Sequence, residues 1–400
     1  LITLDEVVIK ANKDNNIKKV ITGLTSLNLK KIKNVPTLLG VNDILKVATT
    51  LPGISTAGEG SSGFNVRGGK SDQNLILLDN AVIYNPSHFF GIFSGINPSA
   101  SGSVNIYKGS IPSEYGGRLS SVFDINTKTG NMEKTSANIS LGPVMTNISL
   151  EQPIIKNKSS LLLGGRITHS NWILKSLKNE SLNKSEASFF DIITNYTHNL
   201  NDNHKLKISG YYSKDKFRIT SDSLYNYSNS LVSINWKHKI NKNNKGTFSF
   251  SNSQYQFGIN YDSNANIVNK NFDLEYKIND SELKYKVENK SFKKHDILYG
   301  ISGKLYNVSP GSITPLNDSK IIPVNLQNER AGLLALFASD QYDINERLLI
   351  NFGVRATLYS FLGENQQRIY AENLPINSST LLETKDFKNN EIIKTYFGPE

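Results

Sequence analysis

From residue 135 onward, apolar and polar residues alternate with a period of two. Phe272, Leu274, Tyr276 and Ile278 interleave with Asp273, Glu275, Lys277 and Asn279. Leu206, Ile208, Gly210 and Tyr212 do so with Lys205, Lys207, Ser209 and Tyr211, and the stretch from Leu348 to Tyr359 repeats the pattern. Side chains of a strand point alternately to its two faces, so the pattern predicts strands with one apolar and one polar face. Several exceed the usual strand length of about 5–6 residues and match the roughly 9–11 that cross a bilayer at a tilt. Tight polar turns at 156–159, 201–204, 241–245, 293–296 and 343–346 alternate with longer polar stretches at 171–187, 215–229, 306–328 and 363–391. Short turns at one end and long loops at the other are the outer-membrane barrel arrangement. Asn279, Asp280 and Ser281 read as a tight turn where a long loop is due, and are expected in an external hairpin reaching past the membrane. The pattern holds about twelve strands, whereas closing a barrel around an inner domain takes about 22. It therefore predicts an antiparallel transmembrane β-barrel that is incomplete, about half of the whole.

Residues 1–130 have a different texture. Val41, Ile44, Leu45 and Ala48 recur at helical spacing before Leu51-Pro52-Gly53, which predicts a helix over 41–50 and its stop. A glycine-serine loop at 58–63 precedes short strands expected at 64–67, 74–78, 103–108 and 122–126. This is a small α+β unit with a boundary near 130–134.

Composition narrows the function. No apolar run approaches the ~18 residues of a membrane-spanning helix, while a mean hydropathy of −0.36 suits a barrel whose strands alternate. With no cysteine there is no disulfide scaffold, thiolate nucleophile or cysteine zinc site. The net charge of +10 comes largely from lysines scattered among Asn and Ser, a solvated surface rather than a nucleic-acid stripe, and the single Arg67-Gly68-Gly69 adds little to that reading. The six histidines have no metal-ligand spacing, and no phosphate loop, nucleophile elbow or dinucleotide fingerprint occurs. The expectation is no enzyme, no catalytic or metal residue and no cofactor. Residue 1 is Leu and the chain ends inside an incipient strand, so it reads as an excerpt of a longer precursor.

Four stretches resemble the TonB-dependent outer-membrane receptor family. Asp5, Glu6, Val7, Val8, Ile9, Lys10 and Ala11 are similar to its Ton box. Residues 42–54, ending Leu51-Pro52-Gly53-Ile54, are like the helix and turn that follow. Phe64-Asn65-Val66-Arg67-Gly68-Gly69 with Gln73-Asn74-Leu75-Ile76-Leu77-Leu78-Asp79 resembles its arginine-glycine strand and partner. Val104-Asn105-Ile106-Tyr107-Lys108-Gly109, then Glu114-Tyr115-Gly116-Gly117-Arg118, resembles the segment that closes the plug domain. The wording around Gly116 is most similar to receptors of the Bacteroidetes group. The resemblance implies an N-terminal segment over 1–15, a plug over 16–130 and the N-terminal part of the barrel over 131–400. It implies a Gram-negative outer membrane and its lipid as the setting, with the plug toward lumen and periplasm. It implies a periplasm-spanning TonB-type transducer that pairs with the Ton box and pulls. Arg67 and Arg118 are then expected to lock plug to wall, with Glu151 as the carboxylate partner, and Tyr84, Asn85 and His88 to face substrate from a plug loop. Phe89, Phe90 and Phe93 beside them are as readily core residues. Trp172 and Trp236 fit either an interfacial aromatic girdle or core packing.

The implied activity is energy-coupled import of a scarce nutrient: a siderophore-type iron complex, cobalamin, an oligosaccharide or a peptide, with a surface lipoprotein as a further partner in some cases. The alternative from the strands alone is an adhesin or glycan-binding surface β-protein without active transport, which leaves the ordered plug motifs unexplained. Nucleic acid is not an expected partner.

Overall fold

The computed structural model describes residues 23–27, 43–56, 63–176, 185–218, 222–262, 271–316, 319–345 and 348–399. The Ton box-like segment 5–11, Val41 and most of the glycine-serine loop lie outside them.

Two sheets organise the chain. The first runs through β1 (Leu24–Leu27), β8 (Ser101–Tyr107), β9 (Ser121–Thr127), β4 (Asn74–Leu78) and β5 (Ala81–Val82), in that spatial order. Between these in sequence come the short pairs β2 (Ile54–Thr56) with β3 (Phe64–Val66) and β6 (Ser87–His88) with β7 (Phe93–Ser94). Helix α1 (Ile44–Thr49) begins where the Asp43 carboxylate accepts the Lys46 amide at 3.0 Å, a side-chain N-cap. It buries Ile44, Leu45 and Ala48 against Phe64, Val104, Ile106, Phe123 and Ile125. Leu77 and Leu78 turn directly into Ala81 and Val82 through Asp79 and Asn80, whose φ values are 50° and 74°. A two-residue hairpin needs positive φ at both central positions, which Asp and Asn tolerate. Arg67 has a φ of 48°, so it sits in the turn after β3 and not within the strand.

The second is a 13-stranded antiparallel sheet in near-sequential order: β10 (Ser136–Leu141), β11 (Met145–Ile155), β12 (Ser159–Thr168), β13 (Glu186–Asn201), β14 (His204–Arg218), β15 (Ser223–Lys239), β16 (Asn244–Tyr261), β17 (Phe272–Asn289), β18 (His295–Pro315), β20 (Glu329–Asn345), β21 (Leu348–Leu362) and β24 (Ile392–Pro399). Strand β19 (Val324–Asn325) pairs only with β18, and β22 (Asn365–Tyr370) forms a separate hairpin with β23 (Leu381–Phe387). The short helix α2 (Asn171–Ser176) follows β12. The polar stretch 215–229 and the first part of 306–328 are thus extensions of the strands themselves. Strand β14 runs on to Arg218 and β15 starts at Ser223, because ladder hydrogen bonds continue wherever the two chains stay in register. The turn expected at 279–281 is absent: β17 passes through it unbroken, pairing Ser253 with Asp280.

The burial pattern of this sheet is inverted relative to a water-soluble fold. Buried positions are Arg166, Asp191, Asn195, Thr197, Ser209, Ser213, Asp215, Ser233, Asn235, Ser249, Ser251 and Asp280. Large apolar residues one position from a buried one are exposed, among them Ile167, Ile192, Val232, Leu283, Leu334, Leu336 and Val354, the last four beside Lys284, Ala335 and Arg355. The polar face lies against the first sheet and the apolar face points outward, the arrangement of a transmembrane barrel wall. Trp236 belongs to the outer face, stacked 4.5 Å from His238, while Trp172 is exposed on α2 and donates to the Pro143 carbonyl. Leu336→Arg places a charge on that outer face. We expect it to cost about 2–4 kcal/mol, the depth-dependent cost of Arg or Lys near a bilayer midplane, read by urea unfolding of the full-length protein in lipid vesicles. The inward Ala335→Ser should cost far less.

Candidate functional site: the plug–wall interface and the vestibule above it

The plug meets the wall through buried polar contacts. The Asp79-Asn80 turn is driven into strands β14 and β15. Asp79 accepts from Ser209 Oγ and Thr127 Oγ1, both at 2.6 Å, and pairs with Lys207 Nζ. Its carbonyl accepts from Ser233 and from Asn235 Nδ2, and Asn80 donates to Asn235. The turn is thus held at both its carboxylate and its backbone.

His88 forms the second anchor. Its Nδ1 lies 2.8 Å from Asp215 and its Nε2 3.2 Å from Asp191, and Arg166 holds Asp191 at 2.7 Å from the far side. The imidazole stacks on Phe189, centroids 3.9 Å apart and planes 6° from parallel. Ionised carboxylates only accept hydrogen bonds, so with both aspartates charged each ring nitrogen donates, which is the imidazolium form. Burial alone would lower its pKa, but the two aspartate hydrogen bonds outweigh that and raise it above the ordinary imidazole value. Phe89 and Phe93 pack nearby against Val144, Met145, Ala187 and Phe189 of the wall.

A third set lies at the loop 110–118. Glu114 pairs with Lys286 at 2.6 Å, and Arg355 donates to the carbonyls of Ser113 and Glu114 at 3.3 and 3.5 Å. Around it, Tyr107 is pushed up to about 12, first by burial and then by Asp124 and Glu114, and burial raises the Asp124 carboxyl as well.

The residues expected to form the lock do not form it. Among the described residues no ion pair joins Arg67 or Arg118 to Glu151. Arg67 stays within the plug, its Cγ beside Gly53 and its guanidinium over Gly109. Glu151 lies in the ladder between Ser136 and Leu162. The charges that do pair run the other way at two anchors: plug carboxylates Asp79 and Glu114 meet wall lysines. His88, expected to face substrate, is 1% exposed and committed to the wall. Asn85 is half-buried, its carbonyl accepting from Asn229 at 2.9 Å. Tyr84 donates to Asp280, which also faces Lys304 at 3.3 Å, and burial, then Asp280, holds the Tyr84 phenol far above its usual range.

Tyr84 does border open space. Two cavities of about 310 and 380 Å³ flank it, and Arg118 lines both. The first adds Tyr306, Tyr359 and Phe361 and the second Tyr227, Tyr255 and Phe257. Stacking surfaces and the exposed Arg118 guanidinium face both spaces, with Lys304, Arg330 and Glu329 also lining the first, an arrangement able to hold a planar or anionic group. The aromatic residues on the wall escaped sequence reasoning because period-two alternation does not say which face is inward.

A mixed plug seated on the polar side of an up-and-down sheet whose other side is apolar defines a plugged β-barrel of the outer-membrane type. Residues 16–121 match the TonB-dependent Receptor Plug Domain model, and 115–380 match the model described as TonB dependent receptor-like, beta-barrel. The chain belongs to the TonB-dependent receptor family, whose members are outer-membrane β-barrel proteins. No curated protein matches it in sequence. Among solved structures it is similar to the copper transporter OprC (TM-score 0.67, 8% identity, 94% of this chain and 60% of that one). It is similar also to the unliganded ferric citrate transporter FecA (0.65, 11%, 88% and 58%) and to the Serratia marcescens hemophore receptor HasR in a double mutant bound to its hemophore HasA and heme (0.62, 12%, 97% and 60%). At these identities the likeness is one of fold, and the chain spans about 60% of the length of the first of them.

Proposed function

We propose that this chain is the plug and first part of the barrel of an energy-coupled importer. It takes a scarce nutrient from outside and releases it inward when a periplasm-spanning transducer pulls on the segment 5–11. The observation that carries the reading is the polar character of the plug–wall contact. Hydrogen bonds and ion pairs are short-ranged and directional, so a displacement of a few ångströms releases them, and they re-form when the plug returns. The ligand in this reading occupies the vestibule beside Tyr84 and Arg118. The outer face of the wall contacts outer-membrane lipid, and the plug side nearest the short turns faces the periplasm.

β-Branched Val7, Val8 and Ile9 favour an extended segment able to add to a sheet edge of the transducer. The Val7→Pro/Val8→Pro double variant should weaken binding of the full-length receptor to the purified periplasmic domain of a TonB-type transducer at least tenfold, about 1.4 kcal/mol, by calorimetry. Thermal unfolding of the barrel should not move. Unchanged binding would remove the pulling step from the proposal.

A further inference from the structure

Lysines gather at one place on the plug-facing side of the wall, beside the tight turns 201–204 and 241–245. Lys207 holds Asp79 of the plug, and Asn235 donates to the Asp79 carbonyl at 3.1 Å. Residues two apart on a strand share a face, so Lys205 and Lys237 lie on that same face, one step nearer the turns. They stand directly opposite each other in the β14–β15 ladder, and Lys239 stands opposite Lys245 in the β15–β16 ladder. Lys205 is half-buried and the other three are exposed. Among the described residues no ion pair joins any of the four to a carboxylate, although Glu288 lies opposite Lys245.

Side chains directly opposite on neighbouring strands have Cβ atoms about 4.5–5.5 Å apart, and like charges there are destabilising. Elsewhere in the described ladders, charged residues that face each other directly are of opposite sign: Arg166 with Asp191, Glu186 with Arg218, Lys245 with Glu288 and Glu282 with Lys304. The two lysine pairs alone break this rule, and they are neighbours. All four lysines line one cavity of about 460 Å³, where they outnumber its carboxylates, Asp202 and Glu288, two to one. That volume falls within the roughly 300–1,000 Å³ of small-molecule sites, and among the described residues none of the plug lines it. Contact with lipid phosphates does not account for the pairs, because Lys205 and Lys237 share the polar face that meets the plug, not the apolar one.

We propose that this cavity is an anion-binding site whose ligand is a compact polyanion bearing phosphate or carboxylate groups. Such a ligand accepts hydrogen bonds from both ammonium groups of a pair, so the repulsion that each pair costs the empty wall becomes a two-sided clamp. The role of the site, though not its existence, rests on the importer reading above. At the short-turn end it holds the anionic group of the cargo on the side of release. Arg118, which lines both vestibule cavities, presents a cation to the same group at entry.

Pyridoxal 5′-phosphate tests the site in the full-length receptor in lipid nanodiscs, where both ends of the wall are open. Its phosphate supplies the anion, and its aldehyde condenses with a neutral lysine amine, releasing water. Borohydride then adds hydride to the imine carbon and water protonates the nitrogen, leaving a secondary amine that mass spectrometry locates. Pyridoxal, which lacks the phosphate, controls for lysine reactivity alone. The ratio of labelling by the two reagents should be at least tenfold higher at Lys205 or Lys237 than at Lys158, an exposed lysine of another tight turn. Tripolyphosphate should abolish that excess at constant ionic strength. Lys237→Glu replaces the repulsive pair by an attractive one. It should raise the thermal midpoint of the barrel while bringing the ratio at Lys205 down to that of Lys158, so the lost signal is not a lost fold. Equal ratios at the three lysines, an excess that tripolyphosphate leaves in place, or one that survives Lys237→Glu overturns the proposal. None of these measurements involves a transducer or uptake, so the site and the importer reading fail separately.

Discussion

Asp79→Ala is expected to cost about 3–5 kcal/mol of plug docking, because it leaves Lys207 without its partner in a buried interface. Asp79 is 1% exposed and serves Lys207, Ser209 and Thr127 at once. Hydrogen exchange of the amides over 74–82 in the full-length receptor measures this. Their protection should fall by two to three orders of magnitude, about 1.4 kcal/mol for each tenfold, while amides of β13–β15 facing lipid stay protected. Asp79→Asn should fall between, since the amide keeps the turn and some hydrogen bonds but not the charge. Equal protection in all three proteins would mean that the turn merely rests against the wall.

His88 carries the other large effect, and it depends on pH. Its folded pKa lies above the ordinary imidazole value. The stabilisation from its charge is therefore fully present below that ordinary value, about 6.5, and is lost as pH rises through the raised folded value. Docking of the plug should weaken on the alkaline side, read as faster exchange of the amides over 85–94. His88→Gln should abolish that dependence. It should also weaken docking at neutral pH, by about 3–5 kcal/mol, because Asp191 and Asp215 then share a buried site with Arg166 as the one cation facing Asp191. A flat pH profile for the native protein would show that the ring is not charged in this site.

The strands could be read in advance because a two-faced wall imposes its period directly on the sequence. The ends of the strands could not. Polar residues past the bilayer look like loops, yet Lys214, Asp215 and Lys216 pair with Ser228, Tyr227 and Asn226 in an unbroken ladder. Asn279, Asp280 and Ser281 misled for the same reason: side-chain polarity marks what faces water or plug, not where the backbone turns. The lock was legible in kind but not in detail. Asp79 stood inside a quoted motif, and its partner Lys207 is 128 positions away. That pairing depends on how deep the plug sits in the wall, a quantity no local pattern encodes. Arg67 was expected in the role because the resemblance of its glycine-flanked segment to the family's arginine-glycine strand implied it. Those glycines instead allow a turn, and the side chain lies back over Gly109.

The inner surface that receives the plug is built largely of short hydroxyls and amides: Ser209, Ser213, Ser233, Ser249, Ser251, Ser253 and Asn195 among them. Were the plug to move off as the proposed import requires, such groups would find water as readily as they found protein. The vacated lining would then hydrate instead of collapsing or adhering to another chain, and the same water would leave when the plug came home.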